Sequence, residues 1–212
     1  MAHLLWRRTL ATLATQFRQA MAGVAAPAMI LTLALQPDST LHGMTVGSFT
    51  LVLVMPTPKV SFNLHLPLYT LDELRANGYC AVHVLPPTER LAQLARQFAK
   101  GVKGTRLLAK LAVTPEEKRD GEPFHERTTP FALLKQGEDW DFVEVDGSLR
   151  IPILTNCERV FICKALDRMV VDTHELWVAE VVRIIGNLRH LPLGGLLYHR
   201  RNFHRVGMPL LR

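Results

Sequence analysis

Residues 28–66 hold three strand-forming segments in succession, with turn-formers and no helical pattern between them. The first, AMILTLAL (28–35), is a continuous apolar run closed by Gln-Pro-Asp-Ser. The second, TVGSFTLVLV (45–54), is closed by Met-Pro-Thr-Pro. The third, KVSFNLHL (59–66), alternates strictly: Val60, Phe62, Leu64 and Leu66 on one face, Ser61, Asn63 and His65 on the other. Strands that follow one another this closely pair antiparallel, because a parallel pair needs a long crossover. A helical bundle is excluded from the start.

Helical signals come next. Thr70 reads as an N-cap with Glu73 at the capping-box position, and Asn77-Gly78 closes that helix. A short strand, YCAVHVL (79–85), stops at Pro86-Pro87. Thr88 then caps ERLAQLARQFAKG, in which Leu91, Leu94, Ala95 and Phe98 recur at helical spacing. Residues 100–148 are a long excursion rich in charge, glycine and proline, with short helices expected at 115–119 and around 130–135. Strand patterns return in RVFICKAL (159–166) and ELWVAEVVRIIG (175–186). About six strands with two helices inserted early do not alternate as a doubly wound sheet requires, so a mostly antiparallel barrel is the expectation.

The chain has 212 residues, 48% hydrophobic and 21% charged, enough for one domain with a real core. Its formal charge of +6 invites a nucleic-acid reading. The placement of that charge argues against it. Residues 1–37 carry Arg7, Arg8 and Arg18 and no acid, residues 181–212 carry six arginines and no acid, and the middle is slightly acidic. Residues 1–16, Arg-containing, Thr-rich and acid-free, have the composition of a mitochondrial presequence; the alternative is a first helix running on through Met21, in a cytoplasmic protein. No apolar run reaches the length of a membrane span: Val24–Leu35 has 12 residues and contains Pro27 and Thr32.

Three cysteines (Cys80, Cys157, Cys163) form no CxxC and no zinc spacing, and read as buried thiols in a reducing compartment. Nine scattered histidines give no metal site; the closest pair, His199 and His204, is spaced i,i+5. Dinucleotide, Walker, zincin and nucleophile-elbow motifs are absent, and KGVKGT (100–105) reads as a mobile basic loop. The stretch Thr45–Thr50 stands out. Small hydroxyl residues and Gly47 lie between apolar runs, where backbone N–H groups could meet an anion or a ring carbonyl. Asn63 and His65, then the Thr70 helix start, follow as further polar positions.

These segments, in order, resemble the flavin reductase-like FMN-binding family. The family's G-x-T-x-x-S-F-T strand corresponds to Gly43–Thr50 and its D-P-P-x-V-S strand to Pro56–Leu64. Its T-capped helix, G-x-F-x-V-N-V-L strand and L-A-x-x-F-A helix correspond to Thr70–Leu74, Gly78–Leu85 and Leu91–Ala99. A D-H-x-L-x-x-G-E-V segment appears as Asp172–Val181, and the terminal L-x-Y segment as LLYHRRNFHRVG. The similarity spans about 17–207 and is least in 100–148.

The resemblance implies a six-stranded antiparallel split β-barrel over 17–212, a homodimer, and FMN, with FAD as the alternative, near the subunit interface. Thr45, Val46, Gly47, Ser48 and Thr50 would hold the isoalloxazine edge, Asn63 and His65 the ribityl chain and phosphate, and Thr70 the phosphate. His199 or Arg201 would approach the nicotinamide or the flavin phosphate, and His199 stands as the catalytic candidate. The implied activity is hydride transfer from NADH or NADPH to flavin, with an oxygenase receiving the reduced flavin. Hydride transfer needs stacking and orientation rather than a side-chain base, so the missing triad is no obstacle. Two positions depart from the pattern: Gly47 replaces an Asn or Ser, and Leu68 stands where a phosphate-binding Ser is common. They leave open a split-barrel protein without NAD(P)H turnover, flavin-bound or flavin-free, acting as a binding or assembly component. Contact with a membrane or nucleic acid is not expected.

Overall fold

A computed structural model describes residues 2–36, 41–65, 69–100, 130–186 and 194–210. Among them are helices α1 (Ala2–Ala22), α2 (Tyr69–Asn77) and α3 (Glu89–Lys100) and a 3-10 turn at Pro130–Leu133. The strands are β1 (Ala26–Pro27), β2 (Met29–Leu33), β3 (Gly43–Val46), β4 (Thr50–Leu53), β5 (Lys59–His65) and β6 (Tyr79–Val84). They continue with β7 (Trp140–Asp146), β8 (Leu149–Leu154), β9 (Arg159–Val171), β10 (His174–Ile185), β11 (Leu197–His199) and β12 (Asn202–His204).

The main sheet has seven strands in the order β3-β2-β6-β9-β10-β5-β4, all paired antiparallel. Its two edge strands, β3 and β4, are consecutive in the chain and joined by Gly47-Ser48-Phe49 alone. Laid flat, seven strands would separate the edges by about 29 Å. The four virtual bonds from Val46 to Thr50 reach at most about 15 Å. The sheet is therefore rolled, with its edges facing each other across the joint but not hydrogen-bonded to each other.

The expected six-stranded barrel is thus corrected to a rolled, open seven-stranded sheet. The reason lies in one segment. The segment 45–54, read as one strand, breaks at Gly47–Phe49 into two strands at opposite edges. A three-stranded sheet β1-β11-β12 and the hairpin β7–β8 are separate additions.

Inside the roll, Leu31, Leu33, Phe62, Leu64, Leu71, Leu74, Val82 and Trp177 pack as the main core. A second core fills the space beneath α3: Ile30, Leu85, Leu91, Phe98, Phe131, Trp140 and Leu154. Hairpin β7–β8 is pinned to the sheet by buried polar contacts. The Thr32 hydroxyl donates to the Pro152 carbonyl at 2.7 Å. His83, fully buried, donates from Nδ1 to the Ile30 carbonyl (2.9 Å) and accepts at Nε2 from the Leu154 amide (3.1 Å). Burial pushes the His83 pKa down to about 4, so the ring is neutral and its tautomer is set by these two partners.

The helix signals hold where the side chains are described. The Leu91 amide donates to the Thr88 hydroxyl at 3.3 Å, and Gly78 ends α2 with φ 68°. Thr70 lies in the first turn of α2, which begins at Tyr69, rather than at its cap. The 115–119 helix and Leu68 fall outside the described residues; the 130–135 helix is the 3-10 turn. Cys80 and Cys163 are buried cross-strand partners, Cys157 is half-buried, and none is in a disulfide. Burial pushes the Cys157 thiol up to about 12.

Helix α1 runs through the 16/17 boundary without a break, and its residues 12–22 are exposed, including Leu13, Phe17 and Met21. Gly186, just past β10, has φ 130°, and an added Cβ would sit 2.7 Å from the Glu158 carbonyl oxygen. Gly186→Ala is expected to destabilise the chain by about 2 kcal/mol or more, read as a lower urea midpoint.

Candidate functional site

The joint between β3 and β4 organises the site. The Ser48 hydroxyl donates to the Asn63 carbonyl (3.2 Å) and accepts from the Asn63 amide (3.0 Å). One side chain thus does what a paired strand residue would do, tying the connector to β5 across the gap. Ser48, predicted to address a ligand through its hydroxyl, instead holds the joint. Thr45 is engaged as well: its hydroxyl donates to the Ala95 carbonyl of α3 at 2.6 Å. Val46 is buried in the core, and only its backbone faces the edge. Gly47 is exposed, and a Cβ there would meet nothing closer than the Pro27 carbonyl at 3.6 Å, an ordinary contact. The position has room for the side chain that the pattern would have placed there. Thr50 is exposed at the start of β4, opposite Ser61.

Among the described residues β3 pairs only with β2, and β4 only with β5. Each therefore leaves one edge of backbone N–H and C=O groups open toward the joint. Asn63 is exposed, and its side-chain amide makes no hydrogen bond among the described residues. It lines a cavity of about 420 Å³ together with Val171, Asp172, Thr173, His174 and Leu176. The β9–β10 turn that forms the opposite wall contains Asp172 with φ 48°, a conformation Asp tolerates better than most residues. His65 and His174 are cross-strand partners, with ring centroids 4.8 Å apart in an edge contact. Thr173 Oγ1 lies 3.1 Å from His174 Nδ1.

Beneath this wall is a buried carboxylate. Glu175 projects to the opposite side of β10 from His174 and has no exposed surface. Its Oε1 accepts from Arg75 of α2 and, at 2.6 Å, from Arg168 of β9; its Oε2 has no partner. Burial pushes the Glu175 pKa up, but the hydrogen bonds and charges of Arg75 and Arg168 together outweigh it and hold the carboxyl ionised below its usual range. The cluster fastens α2 to the β9–β10 arm.

His199 and Arg201 lie elsewhere on the rim. They belong to the β11–β12 hairpin, which pairs with β1 through Leu197↔Pro27. The His199 ring faces His204 at 5.5 Å, and its carbonyl lies 3.2 Å from His204 Nε2. Neither His199 nor Arg201 shares a hydrogen bond with Ser48 or Asn63. Gly47 stands between the two groups, with Asn63 reached through Ser48 on one side and the hairpin through Pro27 on the other. Thr70 lies in the first turn of α2.

The structure therefore brings Ser48, Asn63 and His65 together and adds His174, Thr173 and Asp172. These three were visible in the Asp172–Val181 segment but were not singled out as site residues. Among the described residues no three His, Cys, Asp or Glu side chains gather into a metal site.

The family model described as "Flavin reductase like domain" matches residues 21–207. The chain belongs to this flavin reductase-like family. Solved structures agree on the fold. A flavin reductase domain protein from Arthrobacter sp. FB24 has a TM-score of 0.65 at 20% identity, covering 93% of this chain and 97% of its own. The flavin reductase of styrene monooxygenase from Pseudomonas putida S12 has 0.60 at 23%, covering 92% and 99%. A Streptomyces globisporus NADH:FAD oxidoreductase in complex with NAD and FAD fragments has 0.62 at 20%, covering 94% and 95%. The flavin reductase-like match begins at residue 21, so nearly all of α1 precedes it.

Releasing the joint tests its role. Ser48→Ala removes two hydrogen bonds of about 1 kcal/mol each and frees the connector. Flavin affinity is expected to fall about tenfold by titration. Unchanged affinity would show that the ligand does not sense the joint.

Proposed function

We propose that this chain is an FMN-dependent NAD(P)H oxidoreductase of the flavin reductase type, with FAD as the alternative flavin. One observation carries the reading: two open strand edges meet at a Ser48-fastened joint beside a cavity walled by Asn63 and His174. The cavity falls within the size range of small-molecule sites, and the donor set suits a flavin. Open-edge N–H groups of 45–50 would meet ring carbonyls. The unengaged Asn63 amide and the His65 ring would meet the ribityl chain and phosphate, with Thr70 beside them. Flavin, when bound, accepts a hydride from the nicotinamide and passes electrons on.

The chain's own groups bind, orient and exclude water. Fixed N–H donors favour developing negative charge on the ring without reorganising. The Ser48 bonds keep those donors in register. His199, on the far rim, would approach the nicotinamide, and the three thiols take no part.

Two further proposals belong to this reading. The first is a homodimer. β4 exposes Leu51 (62%), Val52 (52%) and Leu53, followed by Val54 and Met55 (73%). The β9–β10 arm adds exposed Leu166, Met169, Val170, Val171, Val182 and Ile184. A soluble monomer rarely shows so much apolar surface, and a second copy would cover it. The second is delivery: reduced flavin would pass to an oxygenase, a reading supported by the similarity to a protein named as the flavin reductase of styrene monooxygenase. The acid-free α1, exposed over residues 12–22, fits mitochondrial import, with a cytoplasmic location as the alternative. No helix among the described residues is long and apolar enough to cross a membrane.

The test is direct. The purified chain, soaked with FMN and separately with FAD, is expected to retain the visible absorption of oxidised flavin, and anaerobic NADH or NADPH is expected to bleach it. A chain that stays colourless after both flavins ends this reading. A yellow chain that neither nicotinamide bleaches is a flavin-binding protein without turnover.

A further inference from the structure

The β11–β12 hairpin is closed by two consecutive arginines, Arg200 and Arg201, with φ 47° and 65°. A two-residue turn with both centres left-handed is the geometry that Asn-Gly fills without strain. Arginine has neither the absent Cβ of glycine nor the short polar side chain of asparagine, so the fold alone gives no reason for it here. Strain kept at a position where a relaxed sequence exists points to use of the side chains.

The turn presents two guanidinium groups at one tip, and Arg205 follows one residue past β12. Arg200 and Arg201 are exposed, among the described residues neither is in an ion pair, and no acid occurs anywhere in 181–212. His199 and His204 flank the base of the tip, and the Arg200 amide donates to the Ala22 carbonyl at 3.0 Å, which anchors the turn. Such an unneutralised, backbone-anchored set of guanidinium forks matches a phosphate dianion.

Its place narrows the ligand. β11 meets β1 at Pro27, whose carbonyl is the nearest atom to a Gly47 side chain, and the tip starts about 10 Å further along the strand. A dinucleotide with its nicotinamide at the joint would extend its adenosine ribose along this rim.

We propose that Arg200 and Arg201 form a phosphomonoester site that selects NADPH over NADH; the selection rests on the flavin reductase reading, and the phosphate site does not. The same chemistry could serve the flavin phosphate, and the test separates the two sources. The FMN-loaded chain and the Arg200→Asn/Arg201→Gly variant are compared for kcat/KM with each nicotinamide. Wild type is expected to favour NADPH by at least about tenfold, and the variant to lose about tenfold of that ratio through KM. The variant's relaxed turn should raise Tm by about 2–4 °C, separating lost selection from lost fold. In parallel, the chain without flavin should bind adenosine 2′-phosphate at least about tenfold more tightly than adenosine, and the variant should not. An equal ratio in both chains, or equal binding of the two adenosines, overturns the proposal. So does a variant that loses FMN affinity but not riboflavin affinity while keeping its nicotinamide ratio, which would assign the arginines to the flavin phosphate. If neither nicotinamide reduces the flavin, the flavin reductase reading falls, and the adenosine 2′-phosphate measurement still decides the site.

Discussion

Lowering the pH from 6.5 to 4 is expected to remove about 3 kcal/mol of folding stability through His83 alone. The folded chain keeps this ring neutral down to about pH 4, because it is fully buried between β2, β6 and β8. An unfolded histidine takes its proton near the model value of 6.5. Between those values the unfolded state holds the extra proton, so protons favour unfolding. The contribution is whole above 6.5 and falls away toward 4. Protonation would also place a hydrogen on Nε2, facing the Leu154 amide that now donates to it, so β8 is the element that lets go. Urea melts at half-unit pH steps measure the slope. His83→Phe should lower stability at pH 7 by about 2–4 kcal/mol, since the Ile30 carbonyl and the Leu154 amide lose their partner. It should also flatten the slope between 6.5 and 4. A variant with the wild-type slope would place the acid sensitivity elsewhere.

Charging the exposed edge strand is expected to separate the proposed dimer. Leu51→Asp with Leu53→Asp puts four carboxylates into a symmetric interface. If each loses even a small part of its hydration, the total penalty is at least about 3 kcal/mol, a hundredfold in dimer Kd. Both positions are exposed in the single chain, so the chain itself should fold as before. Sedimentation should show wild type at twice 23.9 kDa and the variant at 23.9 kDa. Flavin retention should fall with it, because the resemblance places flavin near the interface. A wild-type monomer, or a variant that remains dimeric, removes this role for β4.

Much of the framework could be read from residue patterns. The alternation of Val60, Phe62 and Leu64 placed β5 correctly, with those three buried and Asn63 exposed. Thr88 and Gly78 marked helix ends through local chemistry that needs no tertiary information. The break at Gly47–Phe49 was not legible, because Ser, Phe and Thr are good strand residues. What interrupts the strand is a non-local fact, the arrival of Asn63 to bond Ser48. β7 and β8 escape the pattern for a related reason: β7 is acidic, β8 is short and carries Arg150 and Pro152, and only the buried contacts of Thr32 and His83 to β8 supply a surface for the hairpin to pack against.

The site residues divide along the same line. Asn63 and His65 followed from strand alternation. The engagement of the Thr45 and Ser48 hydroxyls inside the fold, and the joining of Glu175 to Arg75, depend on residues 15 to 100 positions apart.

The strand order also sets a timetable for synthesis. β5 is made early, yet its hydrogen-bonded neighbour on the inner side is β10, whose pairing starts with His65 against His174. Until the ribosome has delivered residues 174–185, β5 and the exposed β4 beside it form a lone hairpin cut off from the rest of the sheet. The roll can close only after translation has passed β10. Such distant pairing belongs to the slow, millisecond-to-second class of folding. A chain stalled before residue 174 would leave the inner edge of β5 unpaired, which makes β10 the chain's own safeguard against aggregation at that edge.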